Sequence, residues 1–167
     1  GGGDGGSADE RFKHPSMDKV TLVELDEKVV DIARRYLPKV HNGALDDPRL
    51  DLQIADGLTY VRATAAAAGE RFDLIVLDLT DPIGPAEALY TEAFFADCKR
   101  LLTGQGALSL HLGAPVFQGA RVGMLFKRLG KVFNTVRPHF HYIPLYGSLW
   151  SMACASDHID PLALEPA

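Results

Sequence analysis

The stretch RFDLIVLDL, residues 71–79, is the strongest structural signal in the chain. It contains an unbroken apolar run at residues 74–77 with charged residues on either side. A short apolar run without alternation is typical of a strand buried on both faces, as in a parallel sheet covered by helices. We therefore expect a strand here that ends at Asp78.

Strand-like and helix-like segments alternate around this stretch. The predicted strands cover residues 19–25, 50–55, 71–79, 106–112, 135–146 and 148–156. The predicted helices cover residues 26–37, 57–68, 85–102 and 116–132, and TGQG predicts a turn at residues 103–106. This alternation predicts an α/β fold with a mostly parallel sheet. No helical pattern separates the last two strands, so we expect them to be antiparallel.

The composition excludes several classes of protein. A chain of 167 residues, 47% hydrophobic and 23% charged, is typical of one globular domain over residues 1–167. With a net charge of −5, the chain lacks the excess of basic residues that is typical of a nucleic-acid binder. No apolar run approaches the ~20 residues of a membrane span. Cys98 and Cys154 lie far apart without metal-type spacing, so we expect reduced cysteines and a cytoplasmic protein.

The chain opens on GGGDGG, residues 1–6, which predicts a ligand-binding loop. Glycines allow positive φ angles and close approach of the backbone to a ligand, as in phosphate-binding loops. Asp4 is unsuited to a phosphate, but its carboxylate can accept a hydrogen bond from an ammonium group. The alternative is a solvated aspartate in a turn.

Two further acids follow predicted strands. Glu24 lies 18 residues after Gly6, and an acid about 20 residues past a glycine loop typically holds ribose hydroxyls. The alternative role, capping a helix, suits Asp26 better. Asp56, followed by Gly57, can accept a hydrogen bond from an adenine amine. Its alternative is an interaction with the dipole of the next helix.

The segment DLTDPIGPA, residues 78–86, places two carboxylates after the most apolar strand. Prolines at 82 and 85 stiffen this segment, and a glycine at 84 lets it turn. Ligands of parallel sheets bind beyond the carboxyl ends of the strands, so Asp78 and Asp81 are candidates for catalysis or substrate binding. A calcium or magnesium site is a competing interpretation, but further ligands are not evident nearby. A turn that caps the following helix is the purely structural alternative.

Together these strand ends offer a nucleoside cradle and several acids, with no obvious Lys or Arg for a phosphate. The pattern favours a nucleoside that carries positive charge, such as S-adenosylmethionine or its decarboxylated form. Asp4 would repel the carboxylate of the first and attract the lone ammonium of the second.

These motifs resemble those of the spermidine/spermine synthase family, the polyamine aminopropyltransferases. GGGDGG, KHPSMDKVTLVELD at residues 13–26, DDPRL at 46–50, Asp56 with Gly57, and FDLIVLDLTDPIGPAEALY at 72–90 follow the order and spacing of the family. The resemblance implies a class I methyltransferase-like Rossmann domain. The family's first strand and its small N-terminal β-domain are not found before GGGDGG in this sequence.

The resemblance also implies roles for individual residues. Gly1, Gly2, Gly3 and Gly5 would cradle decarboxylated S-adenosylmethionine, a co-substrate, and no metal or cofactor is expected. Glu24 would bind the ribose, and Asp56 with Gly57 the adenine edge. The aminopropyl ammonium would lie at Asp4 and Asp78. The acceptor amine would lie at Asp78 and Asp81, with Asp78 as the proton acceptor, and Tyr146 would line the polyamine site.

Two departures from the family pattern leave the acceptor open. His111 replaces a common glutamine and is a candidate for contact with the acceptor, with a satisfied strand histidine as the alternative. The usual Tyr-Pro-Ser-Gly is Tyr-Gly-Ser-Leu at residues 146–149. Putrescine is the default acceptor, and other amines are alternatives. Members of the family are often dimers, so the resemblance also allows a homodimer. The competing functions are S-adenosylmethionine-dependent methyl transfer and nucleoside binding without catalysis.

Overall fold

The computed structural model describes residues 1–67, 69 and 71–163. The chain divides into two compact units, Gly1–Tyr60 and Val61–Ala167. The single domain expected over residues 1–167 stays a prediction. Among the helices of the described residues, none has the length and apolar character needed to cross a membrane.

The first unit is built on two parallel strands. Its elements are α1 (Gly6–Phe12), β1 (Val20–Glu24), α2 (Glu27–Tyr36), α3 (Pro38–His41), a 3-10 helix (Ala44–Asp46), β2 (Leu50–Ile54) and the start of α4 (Gly57–Ala67). In the ladder, Val20 lies opposite Leu50 and Glu24 opposite Ile54. Both strands therefore end at the same edge, as the sequence predicted.

The core of the first unit lies between this strand pair and its helices. Six buried residues form it: Ala8, Leu22, Val30, Ala33, Ala44 and Leu45. Helix α2 begins after Asp26, whose side chain accepts a hydrogen bond from the Lys28 N–H group at 2.9 Å. It ends at Tyr36 because Leu37 leaves helical geometry and Pro38 starts the short helix α3. The prediction of a helix over residues 26–37 is confirmed within one residue at each end.

The second unit contains a four-stranded sheet. Its further elements are β3 (Phe72–Leu77), a 3-10 helix (Gly84–Tyr90), α5 (Glu92–Leu101), β4 (Leu102–Gly113), α6 (Pro115–Gly130), β5 (Thr135–Ile143), a 3-10 helix (Pro144–Tyr146), β6 (Ser148–Ser156) and a 3-10 helix (Pro161–Ala163). The sheet has the order β3-β4-β6-β5. Strands β3 and β4 are parallel, whereas β6 is antiparallel to both β4 and β5. The predicted antiparallel pair at the end of the chain is therefore confirmed.

Several predicted elements differ from the structure. The single helix expected over residues 85–102 is wrong, because Thr91 is extended and accepts a hydrogen bond from the Phe94 N–H group, so α5 starts anew at Glu92. The predicted strand over residues 135–146 ends at Ile143, where Pro144 begins a 3-10 helix. The helix predicted over residues 57–68 ends at Ala67, and residue 68 lies outside the described residues.

The predicted turn at residues 103–106 belongs to β4 instead. Phe72 pairs with Leu102, but Leu74 pairs with Ala107, so the intervening residues form an irregular bulge in the ladder. Gly106 is needed there, since a Cβ atom at this position would lie 3.0 Å from the Phe72 carbonyl oxygen. β3 is also less buried than its sequence predicts, with Leu74 37% exposed, because β3 is the end strand of this sheet.

Candidate functional site

The glycine loop at residues 1–6 forms a tight turn that leads into α1. Gly2 and Gly5 have φ angles of 82° and 79°, and the Gly5 N–H group donates to the Gly2 carbonyl oxygen at 2.9 Å. These angles favour glycine over any residue with a side chain. Gly3 is required for a different reason, since a Cβ atom there would lie 2.7 Å from Cγ of Glu24. The loop backbone therefore packs directly against Glu24.

Glu24 ends β1 and is held by backbone groups on both carboxylate oxygens. It is 9% exposed. Oε2 accepts from the Gly3 N–H group at 3.0 Å, and Oε1 accepts from the Asp26 N–H group at 3.1 Å. A carboxylate oxygen has two acceptor positions, so each can accept a further hydrogen bond from a ligand hydroxyl. Helix capping is done by Asp26, as the sequence predicted.

Asp4 and Asp56 each use one oxygen in a local backbone bond. Oδ1 of Asp4 accepts from the Gly6 N–H group at 3.0 Å, and Oδ1 of Asp56 accepts from the Thr59 N–H group at 2.7 Å. Both side chains are exposed. Asp56 thus caps α4, which was its structural alternative, and the ligand-binding roles of both acids stay predictions. At Gly57 a Cβ atom would meet nothing within 4 Å, so packing does not require this glycine.

In the second unit, the backbone between Asp78 and Asp81 is anchored by two side chains. The Tyr90 hydroxyl donates to the Thr80 carbonyl oxygen at 2.7 Å, and Nε2 of His111 lies 2.8 Å from the Leu79 carbonyl oxygen. We call residues 78–81 the carboxylate loop. Its anchors come from the 3-10 helix Gly84–Tyr90 and from β4, so the two carboxylates extend from a backbone with a fixed path.

These contacts place a hydrogen on the contacting atom of each anchor. Burial, and to a lesser extent the charge of Asp81, raise the pKa of Tyr90 to about 12, so the hydroxyl keeps its proton. A carbonyl oxygen only accepts, so Nε2 of His111 carries hydrogen, and it also lies 3.0 Å from the Tyr90 oxygen. In the neutral imidazole Nδ1 is then the acceptor, and this buried atom has no hydrogen-bond partner among the described residues.

His111 and Tyr146, both predicted to contact the acceptor, are joined by Trp150. The rings of His111 and Trp150 stack with centroids 5.8 Å apart, and Trp150 lies 4.7 Å from the ring of Tyr146. Such faces attract cationic groups. Trp150 was missed in the sequence, although it is the only tryptophan and follows Tyr146 closely.

Arg121 was also missed, because the strand ends show no obvious Lys or Arg in the sequence. From α6 it makes a two-pronged ion pair with Asp81, with Nη1 3.1 Å from Oδ2 and Nη2 3.2 Å from Oδ1. Nothing local in the sequence marks it, because the contact links residues 40 positions apart.

A metal centre finds no support in this geometry. Among the described residues, no group of three or more His, Cys, Asp or Glu side chains is placed to hold a metal ion. That the protein uses no metal or cofactor stays a prediction.

Comparison with known proteins identifies the family. The spermine/spermidine synthase domain model matches residues 1–162. The polyamine aminopropyltransferase of Nitrosomonas europaea is 51% identical over 165 residues, which cover 99% of this chain and 50% of that protein. The polyamine aminopropyltransferase of Moorella thermoacetica is 38% identical over 166 residues, covering 99% of this chain and 57% of that protein. The chain thus spans about half the length of the curated relatives it matches.

The fold agrees with this similarity. A spermidine synthase, solved in complex with the transition state analogue AdoDATO, superposes with a TM-score of 0.89 and 36% identity, covering 97% of this chain and 54% of that one. The α/β class and the Rossmann-like, methyltransferase-type fold expected from the sequence are therefore confirmed. This chain belongs to the spermine/spermidine synthase family.

Proposed function

We propose that the protein is an aminopropyltransferase, which moves the aminopropyl group of decarboxylated S-adenosylmethionine to putrescine or a related amine. Family membership and relatives named polyamine aminopropyltransferase support this proposal. The observation that carries it is the carboxylate loop. Two acids follow a strand on a backbone that Tyr90 and His111 hold in place, which suits the positioning of an amine for attack.

The first unit supplies the residues that we assign to the nucleoside. Glu24 accepts the ribose hydroxyls through the acceptor positions that its backbone bonds leave. The backbone of Gly1, Gly2, Gly3 and Gly5 lies along the nucleoside, and Asp56 with Gly57 meets the adenine edge. Asp4 attracts the ammonium of the aminopropyl group.

The second unit supplies the residues that we assign to the acceptor. Asp78 touches the attacking amine and removes its proton, and Asp81 holds the acceptor in line. Tyr146 and His111, together with Trp150, offer aromatic faces to the aliphatic and cationic parts of the amine.

The chemistry follows from charge. A primary amine with a pKa near that of lysine, about 10.4, is protonated at neutral pH and has no lone pair for attack. Asp78 takes the proton, and the neutral nitrogen attacks the propyl carbon bound to the sulfonium. The new C–N bond forms as the C–S bond breaks. Its electron pair goes to sulfur, and uncharged 5′-methylthioadenosine leaves.

Asp4 separates this function from methyl transfer. Calorimetric titration with decarboxylated S-adenosylmethionine and, separately, with S-adenosylmethionine tests the difference, and we expect tighter binding of the decarboxylated form. Tighter binding of S-adenosylmethionine would contradict the proposal and favour a methyltransferase. Binding without turnover would favour a nucleoside-binding protein. Cytoplasmic location, a homodimer, and the absence of nucleic-acid and membrane partners stay predictions.

A further inference from the structure

Asp81 does not present an isolated negative charge. Both of its oxygens are engaged by the two terminal nitrogens of Arg121, at 3.1 and 3.2 Å. A parallel pair of this kind is the strongest arrangement of arginine with a carboxylate. The pair carries no net charge, whereas the acceptor under the proposed function carries an ammonium group at each end.

Arg121 is fixed in this position by its surroundings. Its Nη2 donates to Oε1 of Gln118 at 2.5 Å, and the same oxygen accepts from the Ala114 N–H group at 2.9 Å. Gln118 has non-helical angles, φ −128° and ψ 28°, and so forms a kink inside α6. The side chain of Arg121 is only 18% exposed. The guanidinium is therefore built into the start of α6 and does not extend freely into solvent.

Gly113 makes room for this arrangement. It has a φ angle of 109°, and a Cβ atom at this position would lie 2.5 Å from Nη2 of Arg121. Nε of Arg121 is buried without a hydrogen-bond partner among the described residues. The backbone of β4 and the first turns of α6 thus both favour keeping Arg121 against Asp81.

We infer that Arg121 is a specificity-determining residue, which neutralises Asp81 and so lowers the preference for acceptors with a second ammonium group. This inference rests on the proposed function. In this assignment Asp78 meets the attacking amine and Asp81 faces the far ammonium of a diamine, which gains little from a neutral ion pair. The expected substrates are primary amines, with weak discrimination between a diamine and a monoamine of equal length.

The test compares putrescine with butylamine as acceptors for the full-length protein, with decarboxylated S-adenosylmethionine as donor. The measured quantity is the ratio of kcat/KM for the diamine to kcat/KM for the monoamine. Arg121→Gln removes the positive charge, so we expect the ratio to rise roughly fivefold, mainly through a lower KM for putrescine. Lys127→Gln makes the same charge change on an exposed face of α6 and should leave the ratio unchanged.

Two further variants keep the inference falsifiable if Arg121→Gln fails to fold. Arg121→Lys retains the charge and should keep the ratio of the wild type. Asp81→Asn leaves Arg121 without a counter-charge and should lower the ratio below that of the wild type. An unchanged ratio in Arg121→Gln or Asp81→Asn, with an active wild type, overturns the inference alone. No product from the wild type with either amine overturns the proposed function, and the inference with it.

Discussion

The glycine loop of the first unit and the carboxylate loop of the second unit are held by different means. In the glycine loop, backbone N–H groups bind acids directly, as the Gly3 N–H group binds Glu24 and the Gly6 N–H group binds Asp4. In the carboxylate loop, side chains hold the backbone, as Tyr90 and His111 do at two successive carbonyl oxygens. The first loop depends on the lack of side chains, and the second depends on particular side chains.

The difference teaches which changes each region tolerates. Adding a methyl group at Gly3 of the glycine loop displaces Glu24, because the space is already filled. Removing a hydroxyl or an imidazole near the carboxylate loop frees a backbone segment and leaves its carbonyl groups unpaired. The two regions should therefore respond to opposite kinds of substitution.

Asp78→Asn gives the largest expected effect. If Asp78 takes the proton of the amine, kcat should fall by about 10²- to 10⁴-fold, while the affinity for the donor changes little. Formation of 5′-methylthioadenosine under saturating donor measures this. Glu87→Gln, an exposed acid in the 3-10 helix that follows, is the matched control. Near-normal turnover of Asp78→Asn would refute the assigned base.

Tyr90→Phe tests the anchor of the carboxylate loop through alkaline stability. Burial raises the pKa of Tyr90 from 10.0 to about 12, so between those pH values the unfolded chain releases a proton that the folded chain keeps. Below pH 10 the hydroxyl is protonated in both the folded and the unfolded chain, and the raised pKa has no effect on stability. As the pH rises from 10 to about 12, the free energy of unfolding falls, by about 3 kcal/mol for the full shift.

The measurement is the free energy of unfolding of the wild type minus that of Tyr90→Phe as a function of pH. At pH 8 the difference reports only the lost hydrogen bond, about 1 kcal/mol, and serves as the reference. We expect the difference to decline between pH 10 and 12. A flat profile over that range would mean that Tyr90 is not buried as described.

Gly3→Ala tests the opposite sensitivity of the glycine loop. The new Cβ atom would lie 2.7 Å from Cγ and Oε2 of Glu24, so the carboxylate must move. Loss of its charged hydrogen bond to the ribose should weaken donor binding about tenfold by calorimetry. Gly123→Ala, where a Cβ atom meets nothing within 4 Å, is the control and should bind normally. If Gly3→Ala and Gly123→Ala bound the donor with equal affinity, Glu24 would not bind the donor.

Asp26→Ala gives the smallest expected effect. Asp26 caps α2, so its loss should lower the free energy of unfolding by about 1 kcal/mol in chemical denaturation. Donor affinity should be maintained, because we assign the ribose to Glu24 and the cap to Asp26. A loss of affinity as large as that of Gly3→Ala would show that the two neighbouring acids share one role.

The sequence predicts most of the structure around the glycine loop, because the contacts there are local or lie at the ends of strands. The glycine loop, Glu24 and the cap at Asp26 are each identified by short patterns, and the parallel pair β1 and β2 by apolar runs. The supports of the second region come from distant positions. Arg121 reaches Asp81 from 40 residues away and Nε2 of His111 reaches Leu79 from 32, and no local pattern encodes such contacts. The sequence pattern also predicts one helix over residues 85–102. Thr91 interrupts it, because its hydroxyl caps the start of α5.

The most direct test of the account is the product formed by the full-length protein with putrescine and each of the two sulfonium nucleosides. With decarboxylated S-adenosylmethionine we predict 5′-methylthioadenosine and spermidine in equal amounts, and with S-adenosylmethionine no transfer. Formation of S-adenosylhomocysteine, or no product from the decarboxylated donor, would contradict aminopropyl transfer.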